Sequence, residues 1–147
     1  LFGDIEIQTG LIKNANHINT IEFEDTGTFG FINKLNNCVG SFNYTTTSYK
    51  QNMEGSITIF AENATIKIGG KYLNTIEYQK TNDFDIDNID ISAPANNYGH
   101  YEGSMSNHDK VIDNVIETLL GNSTIMTSAE QGLRVVQIIE KMYSLVR

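Results

Sequence analysis

The stretch Asn52–Gly70, "NMEGSITIFAENATIKIGG", decides how the chain is read. Its three glycines and two carboxylates invite a Gly-rich ligand loop, while its two short alternating runs invite a hairpin. Ile57 and Ile59 share one face of an extended run, and Ile66 and Ile68 share one face of a second. Between them lies "AENA", where Asn63 can take a positive φ at modest steric cost. Gly69-Gly70 leads into "KYLNTIEYQ", another alternating run and not a helix, so the pair is no phosphate cradle. The pattern is a β-hairpin that continues into a third strand.

Working outward, strand patterning fills the first two-thirds. Apolar residues alternate in "GDIEIQTGLI" (3–12) and "HINTIEFED" (17–25). "GTFGFINKL" (27–35) and "CVGSFNYTTTSY" (38–49) are rich in residues that favour strands. Gly27, Gly40 and the Asn36-Asn37 pair read as turn markers, and a turn at Asn36-Asn37 makes residues 28–35 and 38–49 a hairpin. Six or seven strands with short links predict one large, mostly antiparallel sheet.

The last third changes period. Val111, Ile112, Val115, Ile116, Leu119 and Leu120 form one helical stripe, with Gly121 as its C-terminal stop. Thr127 and Glu130 fit a capping box, and Leu133, Val136, Ile139, Met142 and Tyr143 recur at helical spacing. The expected fold class is α+β, with both helices on one face of the sheet and the other face open for another subunit or domain.

The 147 residues suit one domain with one core. A net charge of −8, with Lys and Arg scattered singly, argues against nucleic acid or an anionic membrane surface. No apolar run nears the roughly 20 residues that span a bilayer. Cys38 is the sole cysteine, which rules out an internal disulfide and a Cys-based metal site and suits a reducing cytoplasm. Sequons at Asn43, Asn63 and Asn122 are what an Asn- and Thr-rich chain produces by chance. The chain opens on Leu1 and reads straight into a strand, which suggests a record that starts mid-protein.

There is no G-x-G-x-x-G, P-loop or H-E-x-x-H motif. Asp83, Asp85 and Asp87 match the first three ligands of a calcium loop. Asn88 then stands where that loop needs Gly, and Pro94 where it needs the bidentate Glu, so an acidic edge strand (with Asp90) is the better reading. His17, His100 and His108 are too far apart in sequence to suggest a metal site. His17 reads as a turn residue. His100, in the aromatic and Gly-rich "NNYGHYEG", and His108, at a helix start, are better placed for function. "YTTTSYKQN" (44–52) concentrates neutral donors and acceptors of the kind that meet sugar hydroxyls.

Taken together, "IEFEDTGTFGFI", "VGSFNYTTTSYKQNMEGSITIF", "TIKIGG", "YGH" and the two terminal helices resemble the C-terminal domain of the glucose–fructose oxidoreductase / inositol dehydrogenase / rhizopine catabolism (Gfo/Idh/MocA) family over nearly the whole chain. The "NMEGSITIF…TIKIGG" element is most similar to members acting on nucleotide sugars, including UDP-N-acetylglucosamine-derived uronates. Such a resemblance implies an N-terminal Rossmann domain that binds NAD or NADP, a catalytic Lys in an E-K-P motif, and an Asp and His from a D-x-x-x-H helix. None of these stands in this chain, so no catalytic, cofactor-binding or metal residue is expected in it. The resemblance also implies subunit association through the open sheet face, as a dimer or tetramer. One departure is "AENA", where related sequences carry glycines in place of Ala61 and Ala64.

The resulting expectation is the substrate-facing and oligomerisation domain of an NAD(P)-dependent sugar or nucleotide-sugar oxidoreductase, inactive alone. Thr45, Thr47, Tyr49, Asn52 and His100 are the candidate substrate-binding residues. The alternative is a stand-alone binding or assembly module of the same fold, which predicts a gene with no Rossmann segment upstream of Leu1.

Overall fold

Among the residues described by the computed structural model (3–86, 95–100, 102–105 and 107–147), eight strands and two helices form. They belong to two units, Leu1–Tyr49 with Ile125–Arg147, and Lys50–Thr124. The expected single large sheet is therefore corrected: there are two three-stranded antiparallel sheets and a two-stranded one. The physical reason lies in residues 46–56, which do not alternate and join no ladder. Thr46 N–H donates to Asp25 O at 2.8 Å, closing off the first sheet, while Gly55 N–H donates to Gly70 O at 3.0 Å.

In the first unit, β1 (Glu6–Lys13), β2 (Thr26–Asn33) and β3 (Cys38–Thr45) pair in sequence order. Asn33 and Asn36 make the β2–β3 turn, their side-chain oxygens accepting from Leu35 N–H (2.8 Å) and Cys38 N–H (3.0 Å), with Asn37 at φ 54°. Gly27 and Gly40 are not turn residues as expected. Each lies inside a strand directly opposite an aromatic: Gly27 pairs with Tyr44, Gly40 with Phe31, and Gly10 with Phe29. A Cβ at any of the three would collide with its partner's ring. The rings fold over the glycine backbone and cover it, which is how a sheet offsets the weakness of an interior glycine. Gly27→Val should push the Tyr44 ring out and cost about 1–3 kcal/mol, read as a lower urea midpoint at unchanged slope.

The opposite face of this sheet carries Leu11, Thr28 and Asn43 in one row and Lys13, Thr26 and Thr45 in the next. The Thr26 and Thr45 hydroxyls are 2.9 Å apart, and Thr28 donates to Asn43 Oδ1 at 2.6 Å. Leu11 is 73% and Val39 78% exposed on it.

Residues 17–25, expected as a strand, form turns instead. Their alternation is genuine, but their backbone groups are claimed by side chains. Asn14 Nδ2 donates to Ile21 O and Phe23 O at 3.0 Å each. The Asp25 carboxylate takes the amides of Ala15, Asn16 and His17.

Helix α2 (Ala129–Val146) lies against β1, where Val146 closes on Gly10 beside Phe29. Its capping box is one residue later than expected: Ser128 caps, and Gln131 reaches back, in place of Thr127 and Glu130. Ser128 is the residue with extended φ and ψ, so its hydroxyl is the one aimed at the third helical N–H.

In the second unit, β4 (Ile57–Ala61), β5 (Ala64–Gly69) and β6 (Thr75–Thr81) form the hairpin and third strand read from Asn52–Gly70. Ala61 pairs directly with Ala64, leaving a two-residue turn. Neither Glu62 nor Asn63 has a positive φ, contrary to the expectation for Asn63. A turn without left-handed residues accepts any side chain, so alanines stand comfortably beside it. Ile57, Ile59, Ile66 and Ile68 share one face. On the other, Lys67 is held by Glu77 (2.6 Å) and Glu54 (3.2 Å), which push its pKa up.

Beyond β6, the Gln79 amide pins Ile86 by two backbone hydrogen bonds of 2.8 Å. Asp83 and Asp85 lie in this connection, while Asp87, Asp90 and Pro94 lie outside the described residues. A short hairpin follows, β7 (Ala95–Asn97) with β8 (Glu102–Met105). Helix α1 (His108–Leu119) shows no extended contact with a strand among the described residues, whereas α2 lies along β1, so the expectation that both helices cover a sheet is met there by α2. Gly121, at φ 79°, ends α1 as expected. No described helix is long and apolar enough to cross a membrane.

Candidate functional site

The second unit contains a cleft of about 390 Å³ built from three loops. One wall is residues 50–52, the second is Lys71 and Tyr72, and the third is the β7–β8 tip with Asn97, Gly99 and His100. Local chemistry places each. Gly70, at φ 83°, reverses the chain after β5 so that Lys71 and Tyr72 project from the turn. Asn52 Nδ2 donates to Lys71 O at 3.4 Å and ties the first wall to the second. At the tip, Gly99 N–H donates to Asn97 Oδ1 at 2.8 Å, and φ 81° at Gly99 turns the chain towards His100. Lys50 also has a left-handed backbone, φ 64°, which a lysine adopts only at some cost. Such residues gather where function fixes a side chain's position.

Two expected substrate-binding residues, Asn52 and His100, come together in this cleft. Thr45, Thr47 and Tyr49 belong to the first unit. There the Thr45 hydroxyl lies 2.9 Å from that of Thr26 and 2.8 Å from that of Thr47, ending β3 in a chain of hydroxyls. Tyr49 is 83% exposed. His108 opens α1, and His17 is a turn residue whose Nδ1 lies 2.9 Å from Asp25 Oδ2.

Sequence reading missed Lys50, Gln51, Lys71, Tyr72 and Asn97. Lys50 and Lys71 were counted as isolated charges, yet they share one cleft. The signal available was their place beside Asn- and Gly-rich turns. The cleft offers ammonium, imidazole, amide and phenol groups, and no carboxylate lines it among the described residues. The Lys71 ammonium stands 5.5 Å from the Tyr72 ring centroid, within cation–π range.

Elsewhere, titratable groups cluster in the first unit. Tyr143 Oη donates to Glu24 Oε1, Arg147 Nη2 donates to Glu24 Oε2 at 3.1 Å, and the Arg147 guanidinium lies 4.3 Å from the Tyr143 ring centroid. The Tyr143 bond holds the Glu24 carboxyl below its ordinary pKa and raises that of the Tyr143 phenol. This cluster fastens the end of α2 to the loop before β2. No group of three or more His, Cys, Asp or Glu suited to a metal occurs among the described residues.

The model of the oxidoreductase family's C-terminal alpha/beta domain (Gfo/Idh/MocA) matches residues 1–146. Two solved structures are similar over essentially the whole chain. One is the WlbA dehydrogenase from Chromobacterium violaceum in complex with NADH and UDP-GlcNAcA, 29% identical with a TM-score of 0.80, covering 100% of this chain and 39% of that one. Another is the WlbA dehydrogenase from Bordetella pertussis in complex with the same two compounds, 28% identical with a TM-score of 0.74, covering 99% of this chain and 37% of that one. The chain thus spans about two-fifths of the length of the structures it matches. No curated protein matches it.

Proposed function

The chain belongs to the Gfo/Idh/MocA oxidoreductase family as its C-terminal alpha/beta domain, and we propose on that premise that the protein carrying it is an NAD(P)-dependent oxidoreductase of nucleotide sugars. The observation that carries this reading is the whole-chain likeness to two dehydrogenases, each described in complex with NADH and UDP-GlcNAcA. In this reading the nicotinamide, when bound, would supply the hydride acceptor for oxidation of a sugar carbinol carbon. The Gly69-Gly70 pair does not fit a dinucleotide's pyrophosphate. Gly69 and Gly70 lead into a turn and β6, and not into the helix N-terminus that a pyrophosphate needs. The cofactor, and the Lys and His of the acid–base chemistry, are therefore assigned to a Rossmann segment outside these residues.

This domain's part is to bind and orient the sugar nucleotide. Asn52 and His100 take that role in the cleft, and Thr45, Thr47 and Tyr49 are the further candidates in the first unit. The exposed Leu11 and Val39 on the open face of β1–β3 support a second role as a subunit contact in a homodimer or homotetramer. The lone Cys38 suits a cytoplasmic protein.

The test is a panel of UDP-sugars offered to the protein expressed from its natural gene, with NAD and NADP in turn. Reduction of one cofactor by one UDP-sugar is expected. A gene with no Rossmann segment upstream of Leu1, or a protein that reduces neither cofactor with any sugar, would overturn the reading. Light scattering tests the interface, since a monomer at high concentration would contradict it.

A further inference from the structure

We propose that Met53 is a site of reversible oxidation, at which a hydroperoxide converts the thioether to a sulfoxide and tightens its hold on Gln51, a residue of the cleft wall. The site is a modification site and needs no particular substrate in the cleft.

Methionine oxidation follows the access of the reagent to sulfur. The chain has four methionines. Met53 is 70% and Met126 76% exposed, whereas Met142, on α2, is half-buried. Met53 and Gln51 both belong to the second unit, as does the cleft that Gln51 lines. Met126 belongs to the first unit, so it has similar access without a place on that wall.

The Met53 sulfur already accepts from Gln51 Nε2 at 3.5 Å. A thioether is a weak acceptor. A sulfoxide oxygen is polar and stands one bond beyond the sulfur, so oxidation strengthens this contact. The main chain on either side is tied down. Asn52 Nδ2 donates to Lys71 O at 3.4 Å, and Gly55 N–H donates to Gly70 O at 3.0 Å. Met53 thus sits between two ties, on a segment that joins no ladder. The change therefore falls on the Gln51 side chain and not on the strands.

In the step itself a lone pair of the Met53 sulfur attacks one peroxide oxygen. The S–O bond forms as the O–O bond breaks, and the other oxygen leaves with the proton as water, or as an alcohol from an organic hydroperoxide. Sulfur loses two electrons and the peroxide gains two. A methionine sulfoxide reductase reverses the change, oxidising a dithiol to a disulfide as it restores the thioether.

The experiment treats the natural full-length protein and its Met53→Leu variant with hydrogen peroxide. Leucine keeps the volume and removes the sulfur. Peptide mapping should show one added oxygen at Met53 and one at Met126 well before any at Met142. The side-chain amide resonance of Gln51 should shift on oxidation of the wild type. It should not shift in Met53→Leu, although Met126 is oxidised in both. A methionine sulfoxide reductase should return both the mass and the resonance, and the urea midpoint should change very little.

Met142 oxidised as fast as Met53, or Met53 oxidised only where urea unfolds the protein, would overturn the site. Both results come from the unaltered protein, so they stand even if the variant fails to fold. A Gln51 resonance unmoved in the oxidised wild type, or moved equally in oxidised Met53→Leu, would overturn the link to the cleft wall.

Discussion

Phe29→Ala should lower the stability of the first unit by about 3–5 kcal/mol, the ordinary cost of emptying a buried aromatic site. Phe29 is 4% exposed and is the buried apolar side chain of the first unit among the described residues, the other, Ile66, belonging to the second unit. Its ring lies across Gly10, where an added Cβ would sit 2.6 Å from two ring carbons and 2.8 Å from Val146 Cγ1. Removing the ring therefore uncovers the Gly10 backbone and also withdraws the surface against which α2 ends. Typical domain stabilities are roughly 5–15 kcal/mol, so the variant should lose a large fraction of its stability and unfold at a clearly lower urea concentration. Phe60→Ala is the control: Phe60 is 79% exposed, and its removal should change the urea midpoint very little. Equal effects at the two positions would show that the first sheet is not organised around Phe29.

Asp25 should govern the acid limit of the same unit. Its carboxylate is wholly buried by its neighbours, with Oδ1 accepting from Ala15 N–H at 2.8 Å. Oδ2 accepts from Asn16 N–H at 2.8 Å and His17 N–H at 3.1 Å, with His17 Nδ1 at 2.9 Å. Burial pushes this carboxyl up, but the amide bonds of Ala15 and Asn16, with His17 and Thr26, outweigh it and hold the pKa far below the ordinary range. The sign follows from linkage. A depressed native pKa means that the unfolded chain binds the proton more readily, so the stabilisation is complete above roughly pH 4 and drains away as pH falls towards the native value.

Asp25→Asn keeps one acceptor oxygen and turns the other into a donor facing a donor. Asp25→Ala removes both. Stability at neutral pH should thus fall in the order wild type, Asn, Ala, and the acid slope due to this residue should vanish in both variants. Urea midpoints measured from neutral pH down into the acid range give both quantities. An unchanged acid slope in Asp25→Asn would show that other carboxylates set it.

The two residues mark where sequence reading succeeds and fails. The pairing of Ile57 and Ile59 with Ile68 and Ile66 was legible because a side-chain period of two permits only one apolar face. The stripes of α1 and α2 were legible for the matching reason at a period of 3.6. What alternation cannot report is competition for the backbone. Residues 17–25 alternate like a strand, yet Asn14 captures the carbonyls of Ile21 and Phe23, and Asp25 the His17 amide, that a ladder would need. Nor can alternation say which strands meet. β3 and β4 follow one another in the chain but belong to different sheets, because residues 46–56 hydrogen-bond to Asp25 on one side and Gly70 on the other.

The site divides along the same line. Asn52 and His100, the two candidates that line the cleft, were legible as polar loop residues, a local property. Lys50 and Lys71 were not, because their meaning lies in sharing a cleft, and only the turn at Gly70 and the bond from Asn52 create that. The glycines of Asn52–Gly70 likewise changed meaning: Gly55 and Gly70 join two backbone segments, and Gly70 aims Lys71.

The most direct test of the central claim is the initial rate of nicotinamide reduction by the natural full-length protein with a UDP-linked hexuronate as the sole reductant. The account predicts saturable reduction that fails when the same sugar is offered without its nucleotide diphosphate. Equal rates with the free sugar would contradict the nucleotide-sugar assignment, and the absence of reduction with every UDP-sugar tried would contradict the oxidoreductase assignment itself.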